Sequence, residues 1–332
     1  MAGTGDATGV AANKFYPASL TIDAGDTVTW RAEGNAHTVA FLAPGQTPPD
    51  PSSPQAQGPA GGSTYDGTSF TNSGIMLPLP PGVPAPPGTV SSYSLTFPTA
   101  GTYQFHCLIH PGMAGTLVVQ AAGAAYPQTQ AQVDAAAATA KAADIATGHQ
   151  LEASFTPSAT TNADGTKTYD LAAGIGKDNI EILRFISEKL DIHVGDSVVW
   201  TNLSNGEPHS VSFGTEPQGA AAEAPAGGTT YPASGWTSSG LYLGAPLPGP
   251  HSYKLTFTKA GTYKYFCVLH DVVGMVGAVT VAAAVPVPTL PPTSTVGPSP
   301  VSSGGSSLPV VLAVLAGIGG LASLALRRRA RG

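Results

Sequence analysis

The sequence predicts an all-β chain: two tandem β-sandwich domains joined by a short helical connector, with a C-terminal transmembrane helix. Three observations lead there. Charged residues are only 10% of the 332 positions while Gly (41) and Pro (31) are abundant, which suits short strands and turns. One block of sequence occurs twice. A run of 19 uncharged residues ends in a cluster of arginines.

The repeat is read directly. Phe15 to Trp30, FYPASLTIDAGDTVTW, matches Phe185 to Trp200, FISEKLDIHVGDSVVW, at an offset of 170. Tyr93 to Cys107, YSLTFPTAGTYQFHC, matches Tyr253 to Cys267, YKLTFTKAGTYKYFC, at an offset of 160. The change of offset places loops of different length between the two blocks, where insertion is tolerated. Thr27-Val28-Thr29-Trp30 alternates polar and apolar, the period of a half-buried strand. Tyr103, Phe105 and Cys107 fall on one face of a strand, as do Tyr263, Tyr265 and Cys267. Trp30 and Trp200 are core candidates, and Asp26 and Asp196 follow a turn Gly and cap it.

The first domain is assigned to 1–122. Its loops near 42–68 and 78–88 are Pro- and Gly-rich and receive no secondary structure. Residues 123–150 form the connector; its stretch 128–147 is Ala-rich without Gly or Pro and predicts a helix, with Gly148 as its stop. The second domain is assigned to 151–282, opening with extra strands near 151–156 and 168–183 joined by a turn at Asn162-Ala163-Asp164-Gly165. A Pro/Ser/Thr-rich stalk covers 283–307. Leu308 to Leu326 is the transmembrane helix, roughly 28 Å long at the usual helical rise. The basic tail 327–332 then lies in the cytoplasm and the domains outside. The opening MAGTGDATGV has neither the basic nor the apolar part of an export signal, so a trimmed or mis-assigned start is expected.

Without the four tail arginines, the chain carries 20 acidic residues against 10 basic ones. That balance argues against nucleic-acid binding, which needs a basic face.

Two constellations carry chemistry. Cys107, His110 and Met113 stand in the pattern C-x2-H-x2-M, and Cys267, His270 and Met275 in C-x2-H-x4-M. Upstream, His37 in NAHTVAF and His209 in EPHSVSF follow the GDxVxW strand of each repeat. Two His, one Cys thiolate and a weak axial Met suit copper cycling between Cu(II) and Cu(I). A disulfide between Cys107 and Cys267 is the simplest alternative, but each Cys sits in its own repeat with the same companions. Zinc is the rival metal, and the Met counts against it.

With these residues in place, the chain resembles the cupredoxins, the plastocyanin/azurin family of blue copper proteins. FHCLIHPGMAGTLVV in the first unit is amicyanin-like; YFCVLHDVVGMVGAVTV with PHSVSF upstream is plastocyanin- or halocyanin-like. The resemblance implies Greek-key sandwiches and one type 1 copper per domain. It places one metal on His37, Cys107, His110 and Met113, and the other on His209, Cys267, His270 and Met275. It also implies that His110 and His270 are partly exposed points where electrons leave. Many members have Asn directly after the first His; here Thr38 and Ser210 stand there.

The expected function is single-electron transfer between a redox donor and acceptor protein at the outer face of the membrane. An enzyme of the two-domain nitrite reductase or laccase type would need further histidines. No His-x-His pair occurs among the eight, although His106 precedes Cys107 and is a candidate for another copper. Copper storage or delivery is the third reading, and two thiols are few for it. His149, His193 and His251 are read as surface residues, and Met76 as packing.

Overall fold

Alternating side chains and glycine turns produce mostly β structure in the computed structural model, which describes residues 1–80 and 82–284. Each repeat builds one six-stranded sheet with the same strand order. In the first, Ser19–Asp23 runs parallel to Ala114–Gln120, which pairs antiparallel with Gly101–His106. In the second, Lys189–His193, Val276–Ala282 and Gly261–Phe266 repeat this arrangement. The Trp strand of each repeat lies across from that sheet. Thr27–Arg31 pairs with Ser92–Thr96, and Ser197–Leu203 with Ser252–Phe257.

The aromatic residues shared by the repeats fill equivalent cores. Trp30 meets Phe105 edge-on at 5.4 Å, and Trp200 meets Tyr265 at 5.2 Å. Phe15 and Phe185 pack on the same partners at 4.7 and 4.6 Å. Such T-shaped pairs add to simple area burial. Asp26 and Asp196 accept from the backbone N–H three residues earlier, at 2.9 and 2.8 Å, which closes the turn before each Trp strand.

The repeats do not sit apart on a linker; they belong to one compact unit and share a sheet. Val10–Phe15 pairs antiparallel with Ile180–Ile186, its own counterpart, in the register Ala12↔Ile180, Ala11↔Glu181, Val10↔Ile182. Because equivalent residues pair, Ala11 and Glu181 mark a local twofold axis. The flanking hydrogen bonds obey it: Asn13 N–H donates to the Asn179 carbonyl (2.7 Å) and Leu183 N–H to the Gly9 carbonyl (2.8 Å). A third apolar cluster, including Val10, Ala12, Tyr16, Ala172, Ile175, Ile180 and Ile182, fills the junction.

The connector is a helix, Gln130–Ala153, opened by a capping box between Thr129 and Gln132. It lies over the junction rather than spacing two bodies. Val133 and Ala137 are buried, Ile145 and Leu151 pack on the junction cluster, and Asp144 accepts from Tyr16 Oη at 2.6 Å. Two expectations are corrected here. Gly148 does not stop the helix; it is buried within it, and a Cβ there would lie 2.2 Å from Val10 Cγ1. Residues 151–153 are therefore helical, and the first strand of the second repeat is Ser158–Thr161. The stretch expected near 168–183 is likewise two strands, Lys167–Lys177 and Ile180–Ile186, turned at Asp178 and Asn179, whose positive φ values suit a tight hairpin. The loop near 42–68 contains a one-turn helix, Pro54–Gln57, capped by Ser53.

Among the described residues no helix is long and apolar enough to cross a membrane. The expected transmembrane helix 308–326, the tail 327–332 and the stalk from 285 onward lie outside the described residues.

Two outcomes follow for the junction. Gly148→Val, which forces side-chain atoms into Val10, is expected to lower stability by about 1–3 kcal/mol in denaturant unfolding. Gly62→Ala, with open space around its Cβ, is expected to be close to neutral. Glu181 is buried, and burial followed by repulsion from Glu207 pushes its carboxyl up to about 8. The folded chain therefore holds this proton more tightly than the unfolded one, so the stabilisation is full below the ordinary carboxyl range and lost as pH rises through 8. Glu181→Gln is expected to stabilise the metal-free chain at pH 9 by on the order of a few kcal/mol. No such gain is expected at pH 4; chemical unfolding at both pH values checks this.

Candidate metal centres

Both cysteines are buried free thiols, so the two repeats carry no disulfide. Each thiol lies at the end of a strand, just before a loop that turns back on itself. Cys107 N–H donates to the Met113 carbonyl (2.9 Å) and Met113 N–H to the His110 carbonyl (3.1 Å). In the second repeat, Cys267 N–H donates to the Met275 carbonyl (3.1 Å) and Met275 N–H to the His270 carbonyl (2.9 Å). Two extra residues in the second loop are absorbed by a 3₁₀ turn, Asp271–Val273. Met113 and Met275 are buried in the same clusters as their cysteines.

The upstream histidine arrives from the neighbouring chain segment. His37 exchanges backbone hydrogen bonds with Met76, and His209 with Tyr242, so Met76 and Tyr242 are packing partners in equivalent places. Three donor atoms then converge in each repeat: His37, Cys107 and His110 in one, His209, Cys267 and His270 in the other. The Nδ1 atoms of His37 and His110 are 3.1 Å apart, and Cys107 Sγ is 3.5 Å from His110 Nδ1. In the second set the Nδ1 atoms are 3.2 Å apart, and Cys267 Sγ lies 3.9 and 3.5 Å from His209 and His270. Metal bonds of about 2.0 Å to nitrogen and about 2.3 Å to sulfur in one plane give edges of roughly 3.5 Å and roughly 3.7 Å. The two triangles are close to that size, so the residues fit a trigonal metal.

The electrostatics favour a thiolate. Burial opposes ionisation of Cys107, but the charge on His110 and hydrogen bonds from His110 and His37 outweigh it and hold the thiol well below its usual range. Cys267 is lowered in the same way by its two histidines. Backbone N–H groups of Thr38 (3.3 Å) and Ser210 (3.4 Å) also donate to the sulfurs. Their hydroxyls tie the ligand segments together, accepting from Leu108 N–H (2.7 Å) and Val268 N–H (3.0 Å). Thr38 and Ser210 thus supply the cross-link left open by the missing Asn.

Three residues escaped the sequence reading. Gly3 and Gly174, both at positive φ, lie against the first histidines; a Cβ would fall 2.0 Å from His37 Nε2 or 2.1 Å from His209 Nε2. Their near-equivalent positions in the repeats were the available signal. The third is Glu207, two residues before His209, where the first repeat has Asn35. Glu207 is buried, with Oε1 2.9 Å from His270 Nε2 and Oε2 3.5 Å from His110 Nε2. Its own burial is outweighed by these histidines, which hold its carboxyl down to about 2.

This overturns the expectation of partly exposed exit histidines. His110 is 8% and His270 3% exposed, because the ligand ends of the two repeats face each other across the junction. The cysteine thiolates and Glu207 outweigh burial and raise His110 to about 9 and His270 to about 10. His106 is in neither cluster. His149 is exposed, as expected, and pairs with Asp6 at 2.9 Å; His251 Nδ1 lies 2.9 Å from the Leu243 carbonyl.

The site geometry agrees with what the chain is similar to. Residues 172–282 match the family model described as copper binding proteins, plastocyanin/azurin family. A plastocyanin of Scenedesmus fuscus is 35% identical over 114 residues, 34% of this chain and 99% of that protein. Amicyanin of Paracoccus denitrificans is 30% identical over 112 residues, covering 33% of this chain and 62% of that one. A solved Cu(I) amicyanin variant overlaps 38% of this chain and 91% of its own, at 27% identity and a TM-score of 0.23. With the buried set His209, Cys267 and His270 standing inside the matched residues, the chain belongs to the plastocyanin/azurin family of copper-binding proteins.

Proposed function

We propose that the chain carries single electrons through two type 1 copper centres, one in each repeat. The observation that carries this reading is the pair of buried His–His–Cys triangles. Met113 and Met275, buried in the same clusters as their cysteines, would be the fourth donors in this reading. Copper held there supplies the Cu(II)/Cu(I) couple. The protein residues do the rest. They fix the two imidazoles and the thiolate before the metal arrives, exclude water, and clamp the ligand segments through Thr38 and Ser210. Donors held this firmly would change little in position on a one-electron change of the metal.

In the same reading, Leu308–Leu326 anchors the chain and Arg327, Arg328, Arg329 and Arg331 stay in the cytoplasm, leaving the copper repeats at the outer face. Donor and acceptor are redox proteins. The ligand loop of the second repeat offers them an apolar rim of Leu269, Val272 and Val276, with Val272 87% exposed.

Copper addition to the purified full chain tests the proposal. An intense thiolate-to-copper absorption is expected with two coppers per chain. Cys107→Ser and Cys267→Ser should each remove one copper and about half of the band. A third bound copper would redirect the reading to a copper oxidoreductase, and tight, colourless Cu(I) binding to storage or delivery.

A further inference from the structure

Glu207 is a buried carboxylate at the point where the two repeats meet. The equivalent position of the first repeat is Asn35, which turns its Oδ1 back to the next backbone N–H at 2.8 Å. Burying a carboxylate costs several kcal/mol unless partners compensate. The partners here are specific. Oε1 lies 2.9 Å from His270 Nε2, Oε2 lies 3.5 Å from His110 Nε2, and Oε2 accepts from Asn13 Nδ2 at 3.3 Å. The Glu207 backbone carbonyl is held in turn by Asn202 Nδ2 at 3.0 Å.

Both histidines present Nδ1 to a metal cluster and Nε2 to this one carboxylate. The route from one cluster to the other is therefore one imidazole, one carboxylate and a second imidazole, all buried. We propose that Glu207 couples the two centres, relaying one electron between His110 and His270 so that they act as a single redox unit. The inference rests on the electron-carrier reading above. The step balances without other reactants: one centre is oxidised by one electron as the other is reduced, and each Nε2 keeps its hydrogen. Coupling of this kind is reciprocal, so the redox state of either centre shifts the other by the same amount. Two imidazole nitrogens and a carboxylate are also a donor set that a third metal accepts, and the test separates that case.

The copper-loaded full chain is reduced by a sub-stoichiometric pulse, and freeze-quench electron paramagnetic resonance follows each centre. Signals are assigned from Cys107→Ser and Cys267→Ser. The parent is expected to show a redistribution phase whose rate is independent of protein concentration. Glu207→Gln, which keeps shape but offers one acceptor, and Glu207→Asp, which keeps charge but is too short to span both rings, should each slow it at least tenfold with two coppers still bound. Redox titration of the parent against the single-site variants gives a second readout that needs no change at Glu207. Each centre's potential in the parent, measured with the other centre oxidised and then reduced, should move by the same amount, and the single-site variants should show no such split.

Variants that equilibrate within twofold of the parent, or a parent with no such phase or no reciprocal shift, overturn the relay while leaving two electron-carrying centres intact. A third copper lost with Glu207→Gln overturns it in favour of a metal site. Absence of any thiolate-to-copper band removes the electron-carrier reading and this one together.

Discussion

The antiparallel pairing of Val10–Phe15 with Ile180–Ile186 is the constraint on which the rest of the molecule depends. Two equivalent sheet edges satisfy each other's backbone groups, so neither is left exposed to pair with another chain. The register then dictates what meets across the junction. With Ala11 opposite Glu181, the ligand ends of the two repeats are brought face to face, and the connector helix is laid over the seam. A shift of one residue in that ladder would turn Val10, Ala12, Ile180 and Ile182 out of the junction cluster.

Within each repeat the metal-binding geometry is assembled by backbone rather than by side-chain preference. The Cys strand, the returning Met segment and the His segment are joined by main-chain hydrogen bonds, and the hydroxyls of Thr38 and Ser210 add one link each. Gly3 and Gly174 make room for the first histidines by lacking a Cβ. Such a site is rigid because its supports lie in different segments of chain that a single side-chain movement does not release.

The local chemistry was legible because it is written in short spacings. C-x2-H-x2-M and C-x2-H-x4-M place their residues in one loop whatever the rest of the chain does, and the preceding Trp strand recurs with them. The connector helix was legible from its Ala-rich run. Long-range association was not. Nothing in VAANKF or IEILRF states that one edge will pair with the other. Gly148 looked like a helix stop because its role, letting a helix approach Val10, depends on a neighbour far away in sequence. Glu207 drew no reading at all, because its partners His110 and His270 are likewise distant in sequence. Family resemblance carried over the picture of an isolated domain, in which the second histidine meets solvent, and the junction replaces that solvent with the other repeat.

The near-twofold axis at Ala11 and Glu181 has a consequence for assembly. Two identical copies of either repeat, joined through the same edge, would be obliged to place identical residues on both sides. Two copies of the first repeat would bring two Asn35 and no carboxylate to the histidines. Two copies of the second would bring a pair of Glu207 and a pair of Glu181 into one dry seam, where like charges repel strongly. Covalent fusion releases the halves from that identity. One strand can carry Ala while its mate carries Glu, and one loop can carry Asn while the other carries Glu. A single acid then serves two bases, an arrangement open to a heterodimer or a tandem chain and closed to a symmetric pair.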